Sequence, residues 1–282
     1  MNGRRCLRYK SRKSIIIVEK TRVLNIDALC IREKELLAGL DRNIAGQGGN
    51  GILITPNLDH LVKLQKDEEF YRCYQEAEWV VCDSKILWLC SKVLKKSFPE
   101  PIPGSSFFTH FYQYHAEKCA QGQTQQARIF LLGSPKQETA ELAMNRINEK
   151  CGRQMVVGAH SPSFGFEKKD DENRELVRII RESGANVVLV GVGAPKQEKW
   201  IMRWKDEMPE VKVWMALGAT IEFEAGSVQR APKFFQMFAL EWLYRMWCEP
   251  KRMFKRYICD DLAFFWYLFK QVLGVYRNPF EK

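Results

Sequence analysis

The chain has no stretch that approaches the roughly 18–20 uninterrupted apolar residues a spanning helix needs. The best candidate, Leu262 to Phe269, is bracketed by Asp260, Asp261 and Lys270. The apolar run Ser14-Ile-Ile-Ile-Val18 behind the basic start is cut off by Glu19 and Lys20, too short for a secretory core. The nine cysteines are odd in number, scattered, and never form C-x-x-C, so neither a disulfide framework nor a zinc site is indicated and a reducing compartment is the simpler expectation. There is no Walker loop, no G-x-S-x-G and no full G-x-G-x-x-G. Asp-x-Asp at a strand end, the usual metal signature of nucleotide-sugar enzymes, is missing too. Asp170-Asp171 reads as a solvated helix start and Asp260-Asp261 as a cap. His110 and His115 are five apart and share no helix face well, so no metal site is expected.

What is present is an uneven charge. Of the formal +10, residues 1–13 supply six basic side chains and no acid, and residues 226–282 supply ten Lys/Arg against five Asp/Glu. That leaves 14–225 one charge from neutral, so the positive charge sits at the two ends. A basic terminus suits RNA, DNA or an anionic membrane. The tail interleaves its basic residues with aromatics from Phe234 to Phe269, the composition of an interfacial helix, although aromatics at helical spacing also pack on their own domain. Each Lys or Arg near an anionic surface contributes about 1 kcal/mol.

Between the ends the texture is α/β. Gly51-Ile-Leu-Ile-Thr55 and Trp79-Val-Val-Cys82 read as buried strands, the first stopping at Pro56-Asn57 and the second at Asp83. Asp59 to Gln75 reads as one amphipathic helix, with another over Ile86–Leu94. From 127 to 218 the rhythm is βαβ, with strands expected at 128–132, 155–157, 187–190 and 211–215 and helices at about 136–150, 171–183 and 196–206. Several strands are expected to end at glycine, at Gly133, Gly158, Gly191 and Gly218. In open parallel sheets ligands sit outside the carboxyl ends of the strands. The expected fold is therefore a Rossmann-like parallel-sheet core, 14–225, between a basic N-terminal extension, 1–13, and a basic, aromatic-rich helical appendage, 226–282.

An internal echo marks two of those corners. Leu131-Leu-Gly-Ser-Pro-Lys-Gln-Glu138 recurs sixty positions on as Gly191-Val-Gly-Ala-Pro-Lys-Gln-Glu198. Both read as strand, glycine turn, then Pro at a helix start, where its missing N–H costs nothing. The second copy has the glycines for close backbone approach and a helix N-terminus suited to phosphate, so Gly191 and Gly193 are donor-diphosphate candidates. Thr55, Asn57 and Asp83 would bring a hydroxyl, an amide and a carboxylate to one crevice. Asp83 there serves as general base for a sugar hydroxyl or, more plainly, as N-cap of the helix near Lys85.

Taken in order, Ile54-Thr-Pro-Asn-Leu-Asp-His60, Val80-Val-Cys-Asp83, Pro103-Gly-Ser105, Gly191 to Trp200, Phe223-Glu-Ala-Gly226, Arg230-Ala-Pro232, Leu240 to Arg245, Glu249-Pro-Lys-Arg252 and Arg256-Tyr257 resemble the WecG/TagA/CpsF glycosyltransferases, family 26. The resemblance covers roughly 20–257. It implies a metal-independent, inverting enzyme that moves a sugar, of N-acetylmannosamine or glucose type, from a UDP-sugar to a polyprenyl-diphosphate-linked saccharide in cell-surface polysaccharide synthesis. The UDP-sugar is substrate, and no cofactor is implied. It also implies Asp83 as base, Thr55, Asn57, Gly104 and Ser105 lining the site, Gln197 on the donor, and Arg245, Arg252 and Arg256 brought over the leaving group by a membrane-touching tail. The expected location is the inner face of the cytoplasmic membrane, with an anionic lipid surface as partner, no nucleic acid, and homo-oligomerisation left open. Two departures fall near the expected sugar pocket. Asp83-Ser84 stands where many members have Asp-Gly, and Ala219-Thr-Ile-Glu-Phe223 where many have Gly-x-Phe-Asp. A non-catalytic nucleotide- or polymer-binding module at the membrane is the alternative. An RNA-binding protein, suggested by the basic aromatic tail, lacks any recognised RNA-binding motif.

Overall fold

The computed structural model describes residues 7–10, 15–48, 51–94, 97–123, 126–228, 244 and 261–281. Its centre is a six-stranded sheet in which every pairing is parallel. In chain order the strands are β5 (Gly51–Ile54), β6 (Trp79–Val80), β7 (Ile129–Gly133), β8 (Val156–His160), β9 (Val187–Gly191) and β10 (Val213–Ala216), and across the sheet they run β6-β5-β10-β9-β7-β8. Two antiparallel hairpins precede it, β1 (Leu7–Lys10) with β2 (Ile15–Val18) and β3 (Lys20–Val23) with β4 (Ile26–Leu29). Part of the expected basic extension is thus a strand.

The strands read as unbroken apolar runs because both faces are covered. On β5, Ile52 and Ile54 face one core cluster and Leu53 the other; on β10, Trp214 and Ala216 oppose Val213 and Met215. The first cluster is closed by α2 (Leu58–Lys63), α3 (Glu68–Glu76), α7 (Asp170–Ser183), α8 (Lys196–Trp204) and α10 (Asp261–Val272). The second is closed by α1 (Glu33–Ile44), α5 (Gly104–Ala120), α6 (Gln137–Cys151) and α9 (Thr220–Ala225). A buried ionic group ties three of these helices together, since Glu224 of α9 accepts from Thr109 and Tyr112 of α5 and from Lys150 of α6, the last at 2.8 Å.

Three expectations need correction. The single helix expected over 59–75 is two, because Asp67 leaves helical geometry (φ −117°, ψ 98°) and its carboxylate accepts from Phe70 N to start α3 afresh. Gly158 lies inside β8, where a β-carbon would come within 2.6 Å of the Phe130 ring. The end of the expected appendage belongs partly to the core. Phe264 and Leu268 of α10 are buried against the first cluster, and Gln271 bonds both Leu24 N and the Arg22 carbonyl at 2.8 Å. Beyond α10, Tyr276 donates to Gln65, and Glu281 accepts from Tyr71 and Arg22. The opposite face of α10 exposes Leu262, Phe265, Trp266, Phe269 and Val272. No helix among the described residues is long and apolar enough to cross a membrane.

Candidate active site

Adjacent strands of this sheet send their helices to opposite faces around β10. β5 and β9, on either side of it, lead into α2 and α8 on the first face, whereas β10 leads into α9 on the second. That reversal opens a crevice at the carboxyl ends of β5, β10 and β9.

At the β5 side, Thr55 is 6 % exposed just past the strand end. Gly104, the first residue of α5, is seated so closely there that a β-carbon would lie 3.0 Å from both Thr55 Oγ1 and Leu217 Cδ2. Its N–H donates to Asp83 Oδ1 at 3.0 Å. The Asp83 backbone is fixed in turn by its own N–H to the Pro56 carbonyl at 3.3 Å, and the Cys82 carbonyl accepts from Ile102 N. Thr55, Asp83 and Gly104 therefore lie together. Asp83 does not cap α4 (Lys85–Ser91), whose cap is Ser84 with its Oγ accepting from Leu87 N; it caps α5 from outside the helix, accepting the N–H of the first residue, Gly104, while Pro103 holds the N-cap position. The Asp83 carboxylate lies at the N-terminus of the 17-residue α5, where the helix dipole attracts negative charge. Ser105 follows within the first turn and is half-buried. Asn57 spends its Oδ1 on His60 N, capping α2, and His60 Nδ1 pairs with the buried Tyr74 hydroxyl at 2.7 Å.

The β9 side divides the two glycines. A β-carbon on Gly191 would come 2.6 Å from the Gly218 carbonyl oxygen, and one on Gly133 equally close to that of Gly191. Those glycines let neighbouring strand ends touch. Gly193 is different: its φ is +84° and no atom of the described residues beyond its chain neighbours stands within 4 Å of the missing β-carbon, so this is the open glycine of the loop. Lys63 of α2 reaches across to the Ala194 carbonyl at 3.3 Å while paired with Asp59 at 2.8 Å.

Gln197 faces inward, only 1 % exposed. Its Oε1 accepts from Gly193 N at 3.2 Å and from Gly218 N at 3.1 Å, and its Nε2 donates to Glu198. It joins the β9 and β10 loops. The echo copy does the same one pair of strands away: Gln137 Oε1 accepts from Ser161 N and its Nε2 donates to the Ala159 carbonyl, joining β7 to β8. The repeat signals a loop clasp used twice. Glu198 escaped notice in the sequence because its counterpart Glu138 is exposed, while Glu198 is 1 % exposed, with its pKa pushed up to about 7 by burial. Glu222, at the α9 start where this chain departs from the family pattern, is half-buried, its pKa raised by desolvation, and Oε2 has no hydrogen-bond partner among the described residues. No cluster of three or more His, Cys, Asp or Glu suited to a metal occurs among the described residues. Arg245, Arg252 and Arg256 lie outside them.

Comparison with known proteins places the sequence that builds this crevice in a family. Residues 21–278 fit the model of the glycosyl transferase WecG/TagA/CpsF family. Two similar proteins, from Staphylococcus aureus strains MRSA252 and NCTC 8325 / PS 47, are each named N-acetylglucosaminyldiphosphoundecaprenol N-acetyl-beta-D-mannosaminyltransferase. Each is 25 % identical over 236 residues, 83 % of this chain and 87 % of the relative. With that match running through both sides of the crevice and on into α10, the chain belongs to the WecG/TagA/CpsF glycosyltransferase family.

Proposed function

We propose that this enzyme transfers a sugar from a UDP-sugar to a saccharide carried on a polyprenyl diphosphate, with inversion and without a metal ion. The observation that supports this most is the carboxylate of Asp83, anchored by Gly104 N–H beside Thr55 at the mouth of the crevice. In this reading an acceptor hydroxyl gives its proton to Asp83 as its oxygen bonds the anomeric carbon. The bond from that carbon to the diphosphate breaks on the opposite side, and its electron pair leaves with UDP. The diphosphate lies over the open Gly193 turn at the start of α8. Arg245, Arg252 and Arg256 offset its charge. Gln197 serves by holding loops, because both ends of its amide are bonded within the protein, and Asn57 holds the start of α2 through its Oδ1. The names of the two staphylococcal relatives favour N-acetylmannosamine over glucose as donor sugar and an N-acetylglucosamine-bearing lipid as acceptor.

The acceptor's lipid sets the location. The exposed face of α10 stacks Trp266 on Phe269 with ring centroids 5.9 Å apart, and Lys270 lies 5.0 Å from the Trp266 ring. This is the composition of a helix that rests in an anionic interface, and we place the enzyme peripherally on the cytoplasmic leaflet.

Product analysis with a panel of UDP-sugars and a polyprenyl-diphosphate-linked N-acetylglucosamine acceptor tests the reaction. In the same assay Asp83→Asn is expected to lower turnover by about 10²–10⁴ with UDP affinity retained. Full turnover by that variant removes Asp83 from the mechanism.

A further inference from the structure

Glu198 is the third residue of α8, buried to 1 % exposure, and no other carboxylate on the first face is so thoroughly enclosed among the described residues. Its Oε1 accepts from Gln197 Nε2 at 2.8 Å, and its Oε2 is buried without a hydrogen-bond partner among those residues. A glutamine side chain carries an acceptor on one side of its amide and donors on the other. Gln197 meets two backbone donors, Gly193 N and Gly218 N. Were its amide reversed, an NH₂ group would point at two N–H groups. Glu198 prevents that reversal by offering an acceptor on the opposite side.

We infer that Glu198 is a positioning residue, which orients the Gln197 amide so that its oxygen clasps the N–H groups of Gly193 and Gly218 and holds the two loops bordering the donor diphosphate in register. The inference rests on the placement of the donor at the Gly193 turn. Lys63 braces the same loop from outside through the Ala194 carbonyl, and Lys199 ties α8 to Asp67 and Glu69 at 2.8 Å each, but neither touches the two clasped N–H groups. The equivalent clasp at Gln137 is secured differently, by Glu141 from the next turn of its helix at 3.0 Å. A glutamine clasp with a carboxylate behind it thus recurs, and only the copy at the crevice encloses that carboxylate.

The experiment uses the full-length enzyme and UDP as probe. Glu198→Met removes the acceptor with little change in size. It is expected to speed amide hydrogen exchange in the segments around 191–198 and 217–222 and to weaken UDP binding by about ten-fold. Glu198→Gln still presents a carbonyl oxygen to Gln197 and is expected to restore slow exchange and most of the affinity, whereas a simple packing role would leave the similarly sized Met and Gln variants alike. Unchanged exchange in Glu198→Met overturns the role of Glu198. Faster exchange with unaltered UDP affinity overturns instead the placement of the donor at this loop. Should Glu198→Met not fold, equal exchange and affinity between Gln197→Leu and the native enzyme would refute the clasp, because leucine cannot accept from the two N–H groups.

Discussion

Replacing Glu198 by Gln should change how stability depends on pH, and the size of the change follows from the burial. Glu198 titrates near 7 in the fold against 4.5 for an exposed glutamate, because its charged form loses hydration. The hydrogen bond from Gln197, its own backbone N–H and the charge of Lys63 on α2 offset only part of that loss. From α3 the facing titratable groups are Cys73 and Tyr74, both raised by burial and by Glu198 itself, with His60 bonded to Tyr74. A carboxyl whose pKa is higher folded than unfolded makes the folded state bind the extra proton. Its contribution to stability is fully present below pH 4.5 and is lost as pH rises through 7. A separation of about 2.5 units corresponds to about 3 kcal/mol over that interval. Glutamine has no such proton to lose. The stability of the native enzyme relative to Glu198→Gln should therefore fall by about 3 kcal/mol between pH 4.5 and pH 8. Denaturant melts of both proteins across that range measure it, since titrations that do not feel Glu198 cancel in the difference and Cys73 and Tyr74, which do, are raised above the range. Parallel curves would refute the argument. A native enzyme that gained on the variant with rising pH would show that Lys63 holds Glu198 ionised.

The two loop glycines should separate by readout. Gly191→Ala drives a β-carbon into the Gly218 carbonyl and is expected to cost about 2 kcal/mol or more in a denaturant melt. Gly193→Ala meets no atom of the described residues and loses only the ~1 kcal/mol of a left-handed backbone, so its main effect should be weaker UDP binding by calorimetry. On α10, Trp266→Asp combined with Phe269→Asp should abolish most co-sedimentation with anionic vesicles and leave turnover of a short-chain, water-soluble acceptor unchanged; retained vesicle binding would move the membrane contact elsewhere.

The sheet was legible because a parallel strand covered on both faces has no polar side to disguise it. Ile-Phe-Leu-Leu, Val-Val-Leu-Val and Val-Trp-Met-Ala lie on strands within two residues of where they were expected. Helices failed where apolar spacing ran across a stop. Leu61, Leu64 and Phe70 are all buried on one side, yet the backbone between them turns, and the signal for the break was Asp67 followed by two glutamates, a cap and an acidic first turn. The order β6-β5-β10-β9-β7-β8 was beyond local reading, since β10 pairs with β5 across more than 150 intervening residues. So was the tail: α10 is apolar nearly all round, and only the seat of Phe264 and Leu268 on the core shows which side is left for a partner.

The site was half legible for a related reason. Asp83 presents two readings in sequence, base or cap, and the structure does not choose between them, because capping α5 is what brings the carboxylate to the crevice. The cap partner, Gly104, lies twenty-one residues away, so spacing pointed to the wrong helix. Asn57 and Gln197 show the same doubling from the other side: both sit in motifs of the family, and both spend their acceptor oxygens on backbone N–H groups of the loops. Loss of activity on replacing either would follow from loosened loops alone and would not establish contact with substrate. Asp83 is separable where they are not. Asparagine caps a helix about as well as aspartate, so Asp83→Asn keeps Gly104 and α5 in place while removing the only proton acceptor the side chain offers. Asp83→Ala removes both and should cost ~1 kcal/mol of stability for the lost cap. A large fall in turnover shared by both variants, with destabilisation confined to the alanine, would assign catalysis to the carboxylate itself. Equal destabilisation with turnover restored in asparagine would leave Asp83 a cap and nothing more.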